Sequence, residues 1–206
     1  MKKAIVILTA ITVIGLTGCL RTEIEKKPVV VSEETDSEIE EDNSEEAEKP
    51  ALVTIEIEGE QEEINGLLHA GDGYEIVYDS ERFEYSDKDG ADSFMADNAD
   101  PAIYPYIYVY IDHIEDKSAS AYVKTLSDTL SANGLKTEIL TDAAIGNYKG
   151  TILMAQAGSE WNSIIRNYYI IEKGTSIYAI EAQYFVEAAE GYGARIQAML
   201  DTFKMN

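Results

Sequence analysis

Tyr104, Tyr106, Tyr108 and Tyr110 recur at every second position, interleaved with Ile103, Ile107, Val109 and Ile111. On an extended strand this period sends four phenols to one face and the aliphatic residues to the other. An open row of such rings would suit a sugar or an extended peptide, because each offers apolar area plus a hydroxyl. Covered, the same row is ordinary strand packing. A second cluster, Asp87-Lys88-Asp89-Gly90-Ala91-Asp92, spaces carboxylates around a glycine, with Asp97 and Asp100 close behind. Calcium takes about six to eight oxygens from loops of this kind. Aligning Gly90 with the glycine of an EF-hand loop, however, places Tyr85 and Ala96 at two of the ligand positions. Asp87, Asp89 and Asp92 are therefore a partial cation site at best, and a solvated loop is the competing reading. His69 and His113 are the only histidines and share no metal-binding spacing. Ser159 lacks the second glycine of a nucleophile elbow, and Trp161 reads as a packing residue of a loop. Carboxylates are too common in this chain for any one pair to indicate acid–base catalysis. No catalytic constellation emerges, and the expectation is a protein that is not an enzyme.

The only thiol belongs to Cys19. It follows Lys2-Lys3, an apolar run from Ala4 to Leu16 interrupted by Thr9 and Thr12, and then Thr17-Gly18. A basic start, a short apolar stretch and small residues at its end are the parts of a secretory signal. The run is shorter than the roughly 20 apolar residues of a permanent span. Leu16-Thr17-Gly18-Cys19 resembles the lipobox of bacterial lipoproteins. The resemblance implies cleavage between Gly18 and Cys19, diacylation of Cys19, and residence on the extracytoplasmic face of the cell membrane, in a Gram-positive envelope. Two acyl chains hold a protein stably, at about 0.8 kcal/mol per buried methylene. Lipidation would also consume the only thiol, excluding disulfides and thiolate chemistry from the folded part.

Residues 19–50 read as an acidic tether behind a signal segment of residues 1–18. From Leu20 to Pro50 twelve acids face four bases and aromatics are absent, a composition that cannot bury enough surface to fold. As a flexible coil these residues span about 30 Å. Residues 51–206, the expected single globular domain, carry ten bases against 27 acids, a net charge of −17. That sign excludes nucleic acid as a partner, since such binding rests on Lys and Arg neutralising phosphates. It also disfavours adhesion to anionic lipid, and it attracts cationic partners.

The elements that must position the candidate residues follow from periodicity. Strands are expected at Leu52–Glu60, Gly73–Tyr78, Ile103–Ile111, Leu135–Leu140, Gly150–Ala157, Asn162–Ile171 and Ser176–Tyr184, the last two joined across Gly174. A helix is expected over Ser118–Asn133, with its apolar stripe on Tyr122, Val123, Leu126 and Leu130 and its cap at Gly134. A second is expected over Val186–Met205. Together they predict an α+β domain, an antiparallel sheet with helices packed against it.

Gly73-Tyr74-Glu75-Ile76-Val77-Tyr78-Asp79 with Arg82-Phe83 resembles the opening of PsbP-like domains. Ser176–Glu181 and Ala198–Phe203 resemble their last strand and closing helix. The likeness, over residues 70–204, implies a PsbP-like α/β/α sandwich and a mostly non-catalytic accessory role, with no shared active-site signature and no cofactor beyond the lipid on Cys19. The expectation is a lipid-anchored binding module for an envelope protein. The alternatives are a domain for glycan, peptide or a divalent cation such as calcium and, third, a carboxylate-based hydrolase.

Overall fold

The computed structural model describes residues 49–57, 60–97 and 100–206. The chain divides into two compact units, Met1–Asn43 and Ser44–Asn206, and every described residue belongs to the second. The signal segment, Gly18, Cys19 and most of the expected tether lie outside the described residues.

Eleven strands and two helices follow in the order β1 (Lys49–Ile57), β2 (Glu60–Gly71), β3 (Tyr74–Asp79), β4 (Phe83–Lys88), β5 (Ala91–Ala96), β6 (Tyr108–Ile114), α1 (Ala119–Ala132), β7 (Lys136–Ile145), β8 (Tyr148–Gln156), β9 (Ile164–Lys173), β10 (Ser176–Phe185), α2 (Ala189–Thr202) and β11 (Lys204–Met205). They form a four-stranded sheet, β1-β2-β3-β11, and a seven-stranded sheet, β4-β5-β6-β10-β9-β8-β7. Every pairing is antiparallel. The domain is α+β as expected, and strand dominates it.

Strand alternation divides the large sheet's residues between two cores. Phe94, Val109, Ile111, Tyr169, Ile171, Tyr178 and Ile180 pack with Tyr74, Ile76 and Tyr78 of β3 and with Ile196, Met199 and Leu200 of α2. Leu153, Ala155, Tyr168, Ile170 and Ile177 pack with Ala119, Val123 and Leu130 of α1. Ser118 caps α1, its hydroxyl accepting from the Ala121 N–H at 3.4 Å, and Gly134 takes φ of 85° just past the helix. Both ends of α1 agree with the sequence reading.

Four expectations need correction. The first strand begins at Lys49, two residues inside the expected tether, and ends at Ile57. Pro50 is tolerated there because β1 is an edge strand. β2 has no counterpart among the expected strands, because its charged start and its glycines hide the alternation. The acidic loop is a β-hairpin: β4 and β5 pair from Phe83↔Ala96 to Lys88↔Ala91 around Asp89-Gly90, both at positive φ. Asp-Gly is a strong signal for such a two-residue turn. The final helix stops at Thr202, and β11 follows to pair with β3.

The register also orients the domain. Lys49 pairs opposite Leu68, toward the β2–β3 hairpin. That hairpin meets the start of β10, where the Tyr178 hydroxyl donates to the carbonyls of Asp72 (3.2 Å) and Gly73 (2.9 Å). The β5–β6 and β8–β9 connections and the end of β10 lie at the opposite end of the large sheet.

Candidate binding surface

The tyrosine row does not form one strand face. β6 starts only at Tyr108, and Tyr104 and Tyr106 lie in the connection before it. Pro105 is the physical reason: it lacks the N–H that a central strand must donate. Upstream, the Asp100 carbonyl accepts from the N–H groups of Ile103 and Tyr104, both at 3.0 Å, while its carboxylate accepts from Ala102 N–H at 3.0 Å. The chain therefore turns where an uninterrupted alternation predicts extension.

Tyr108 and Tyr110 do share a face, stacked with centroids 4.2 Å apart. Tyr108 is buried, and its hydroxyl donates to Glu181 Oε1 at 2.7 Å. Arg166 Nε donates to Gln183 Oε1 at 2.7 Å. Burial raises the Tyr108 phenol well above its ordinary value, and the Glu181 carboxylate beside it adds to the shift. These groups are mutually satisfied, and they brace the loop: Gln183 Nε2 donates to the Tyr106 carbonyl at 2.9 Å.

The braced loop exposes its side chains. Ile103, Tyr104, Tyr106 and Trp161 are 56%, 38%, 54% and 44% exposed, four of the seven large apolar residues left open to solvent among the described ones. The Tyr104 ring lies 5.8 Å from that of Trp161, and both rest against buried Phe185, at 5.9 and 6.4 Å. Trp161 is fixed by its backbone, its carbonyl accepting from the Glu187 N–H at 2.9 Å. From the sequence, Trp161 is expected to be a packing residue of its loop. Only the fold brings its loop against Tyr104. The detectable signal was the proline pair, Pro101 and Pro105, which marks the tyrosines between and after them as loop residues.

The three aspartates of the expected cation loop point to different tasks. Asp87 accepts from the Gly90 N–H at 3.2 Å, Asp89 occupies the turn, and Asp92 is drawn inward. Asp92 accepts from the Tyr74 hydroxyl and, at 2.9 Å, from that of Tyr85, and lies 3.1 Å from His69 Nε2. Burial pushes the Asp92 carboxyl upward, but the hydrogen bonds from His69, Tyr74 and Tyr85 outweigh it and hold the group below the ordinary range. Its oxygens are spent on the core.

The fold also assembles a grouping the sequence hid. His113 Nδ1 lies 2.8 Å from Asp72 Oδ2 and Nε2 lies 3.0 Å from Ser176 Oγ, with the ring stacked on Tyr178. The order resembles a nucleophile relay. Yet Ser176 Oγ donates its proton to the Lys173 carbonyl at 3.0 Å, and the Asp72 side chain is 83% exposed. The arrangement ties three strand ends together. An open cleft of about 550 Å³ between α1 and β7 likewise has its charges engaged: Lys124 pairs with Asp128 at 2.7 Å, and Glu172 accepts from the Ala119 N–H at 2.9 Å.

Compared with models of protein families and with curated proteins, the chain matches none.

Proposed function

We propose that this protein is a lipid-anchored, extracytoplasmic, non-catalytic binding module that docks another envelope protein through the Tyr104–Trp161 end of a PsbP-like domain. The observation that carries this reading is the exposed aromatic cluster itself. Ile103, Tyr104, Tyr106 and Trp161 stand open on loops whose backbones are hydrogen-bonded in place. Rigid aromatic side chains of this kind contribute most at protein interfaces, because they bury large area with little ordering cost. Cys19 supplies the anchor, and the acidic tether lifts the domain clear of the lipid surface.

The test is cross-linking in intact envelopes, followed by capture of the lipidated protein. A recurrent protein partner, lost when Tyr104 and Trp161 are both replaced by Ser, is the expected result. Recovery of the same partners from that variant would overturn the assignment of the surface. Recovery of no specific protein at all would overturn the docking role.

A further inference from the structure

The charge around the aromatic cluster selects what it binds. Three of the connections at this end of the domain carry or border the cluster: residues 97–106, 157–163 and 185–190. They contain Asp97, Asp100, Glu160, Glu187 and Glu190 and no lysine or arginine. Asp97, Glu160, Glu187 and Glu190 are exposed. Of the nearest cations by register, Lys136 stands exposed opposite Gln156, outside the three connections, while the two arginines are already engaged. Arg166 is bound to Gln183, and Arg82, whose carbonyl accepts from the Asp97 N–H, has its guanidinium 3.6 and 3.7 Å from Asp79 and Glu62. The cluster is thus apolar at its centre, anionic at its rim, and set on a domain of net charge −17.

We propose that the Tyr104–Trp161 surface takes an extended, basic segment of the partner polypeptide, with Lys or Arg side chains lying on the exposed rings. The proposal rests on the docking role argued above and names the chemistry of the docked segment. A guanidinium over Trp or Tyr is attracted by the ring quadrupole, and arginine does this best because it is weakly hydrated and planar. The rim carboxylates then steer the segment in and pair with its outward charges. An anionic bilayer is disfavoured, because its charge repels the rim.

Trp161 is the only tryptophan in the chain, so it reports occupancy of this surface without added label. Octaarginine is titrated into the purified full chain in zwitterionic detergent while Trp161 fluorescence is followed. Octaglutamate, a chitin oligosaccharide and anionic vesicles are titrated in parallel. A saturable change with octaarginine alone is expected, weakening as salt shortens the screening length. Replacing Tyr104 and Tyr106 by Ala should weaken it by about tenfold, the effect of losing one or two cation–π contacts. Glu160→Gln with Glu187→Gln, both at exposed positions, should weaken it without disturbing packing.

A titration curve unchanged by both variants would show bulk attraction to an acidic protein and would overturn the proposal. A Trp161 response to the oligosaccharide or the vesicles, with none to octaarginine, would overturn it in favour of those occupants. If envelope capture yields a partner whose docking segment is acidic or neutral, this inference fails while the docking role stands.

Discussion

Arg195 is the one arginine of α2, and replacing it tests how that helix is locked onto the four-stranded sheet. Its side chain is 7% exposed, and it donates to Asp79 Oδ2 at 2.9 Å and to both oxygens of Glu62, at 2.7 and 2.9 Å. The Asp79 side chain is only 1% exposed, whereas Glu62 is 41% exposed. In Arg195→Met the lost pairing with Glu62 matters little, because water takes over. Asp79 is different: its charge stays buried. Breaking such a pair costs about 3–5 kcal/mol. The lower figure applies here, since Arg82 already lies 3.6 Å from the same Asp79 oxygen and can share the charge. At about 2–4 °C per kcal/mol for a domain of this size, Tm should fall by about 6–12 °C. Thermal and urea unfolding followed by circular dichroism measure it. Adding Asp79→Asn to Arg195→Met should recover part of the loss, because a neutral amide is far cheaper to bury than an unpaired carboxylate. A single-variant loss below about 1 kcal/mol, or no recovery in the double variant, would refute the claim that Asp79 is the stranded charge.

Burial pushes the Tyr168 and Tyr169 phenols up to about 12, with Glu181 adding to the shift at Tyr168. Because the folded values exceed the unfolded value of about 10, their contribution to stability is complete below pH ~10 and disappears as the pH climbs to about 12. Phenolate absorbance from these residues should therefore appear together with loss of the β-sheet signal; full ionisation of an intact fold would contradict this. Gly73→Ala should cost about 1–3 kcal/mol, because φ is 71° there and an added Cβ would come 2.6 Å from the Tyr178 hydroxyl. Gly90→Ala, at φ of 87° but in open space, should cost less, and equal urea midpoints for the two would remove the steric part of the argument. A fluorophosphonate probe should leave Ser176 unlabelled, since the Lys173 carbonyl competes with His113 Nε2 for its proton, each 3.0 Å from the hydroxyl. Stoichiometric labelling at Ser176 would turn the Asp72–His113–Ser176 grouping into a catalytic one.

Local signals in the sequence are sufficient where a single element decides them. Ser118 and Gly134 bounded α1 because caps are local, and Gly174 marked the β9–β10 hairpin because a positive φ is local. The β4–β5 hairpin was equally legible. Its Asp89-Gly90 turn is masked only by the surrounding carboxylates, which suggest oxygen ligands before turn geometry. β2 was harder, because an edge strand's neighbour can carry glutamates on one face and glycine at a tight approach. Gly66 lies where a Cβ would come 2.5 Å from Val77 Cγ1, a constraint that appears only when β3 is beside it. The candidate surface required three connections separated by scores of residues. The tyrosine period announced a face, but Pro105 divided it. Tyr108 then joined the polar network of Glu181 and Gln183, and Tyr104 met Trp161.

The two ends of the large sheet differ in how far their side chains are engaged. At the end where β10 begins, polar and aromatic groups are engaged with one another. Tyr178 holds the Asp72–Gly73 hairpin, His113 lies between Asp72 and Ser176, and the N–H of Asn206 returns to the Gly73 carbonyl at 2.9 Å. At the other end the backbone is just as well satisfied, through Gln183 to Tyr106 and Trp161 to Glu187. The side chains there are left open. Large apolar surface kept exposed on a fixed backbone marks an interaction site more often than loose packing does. Its ordering cost has been met in the free protein, so an arriving segment would lose little of its binding energy to rigidifying this side of the interface.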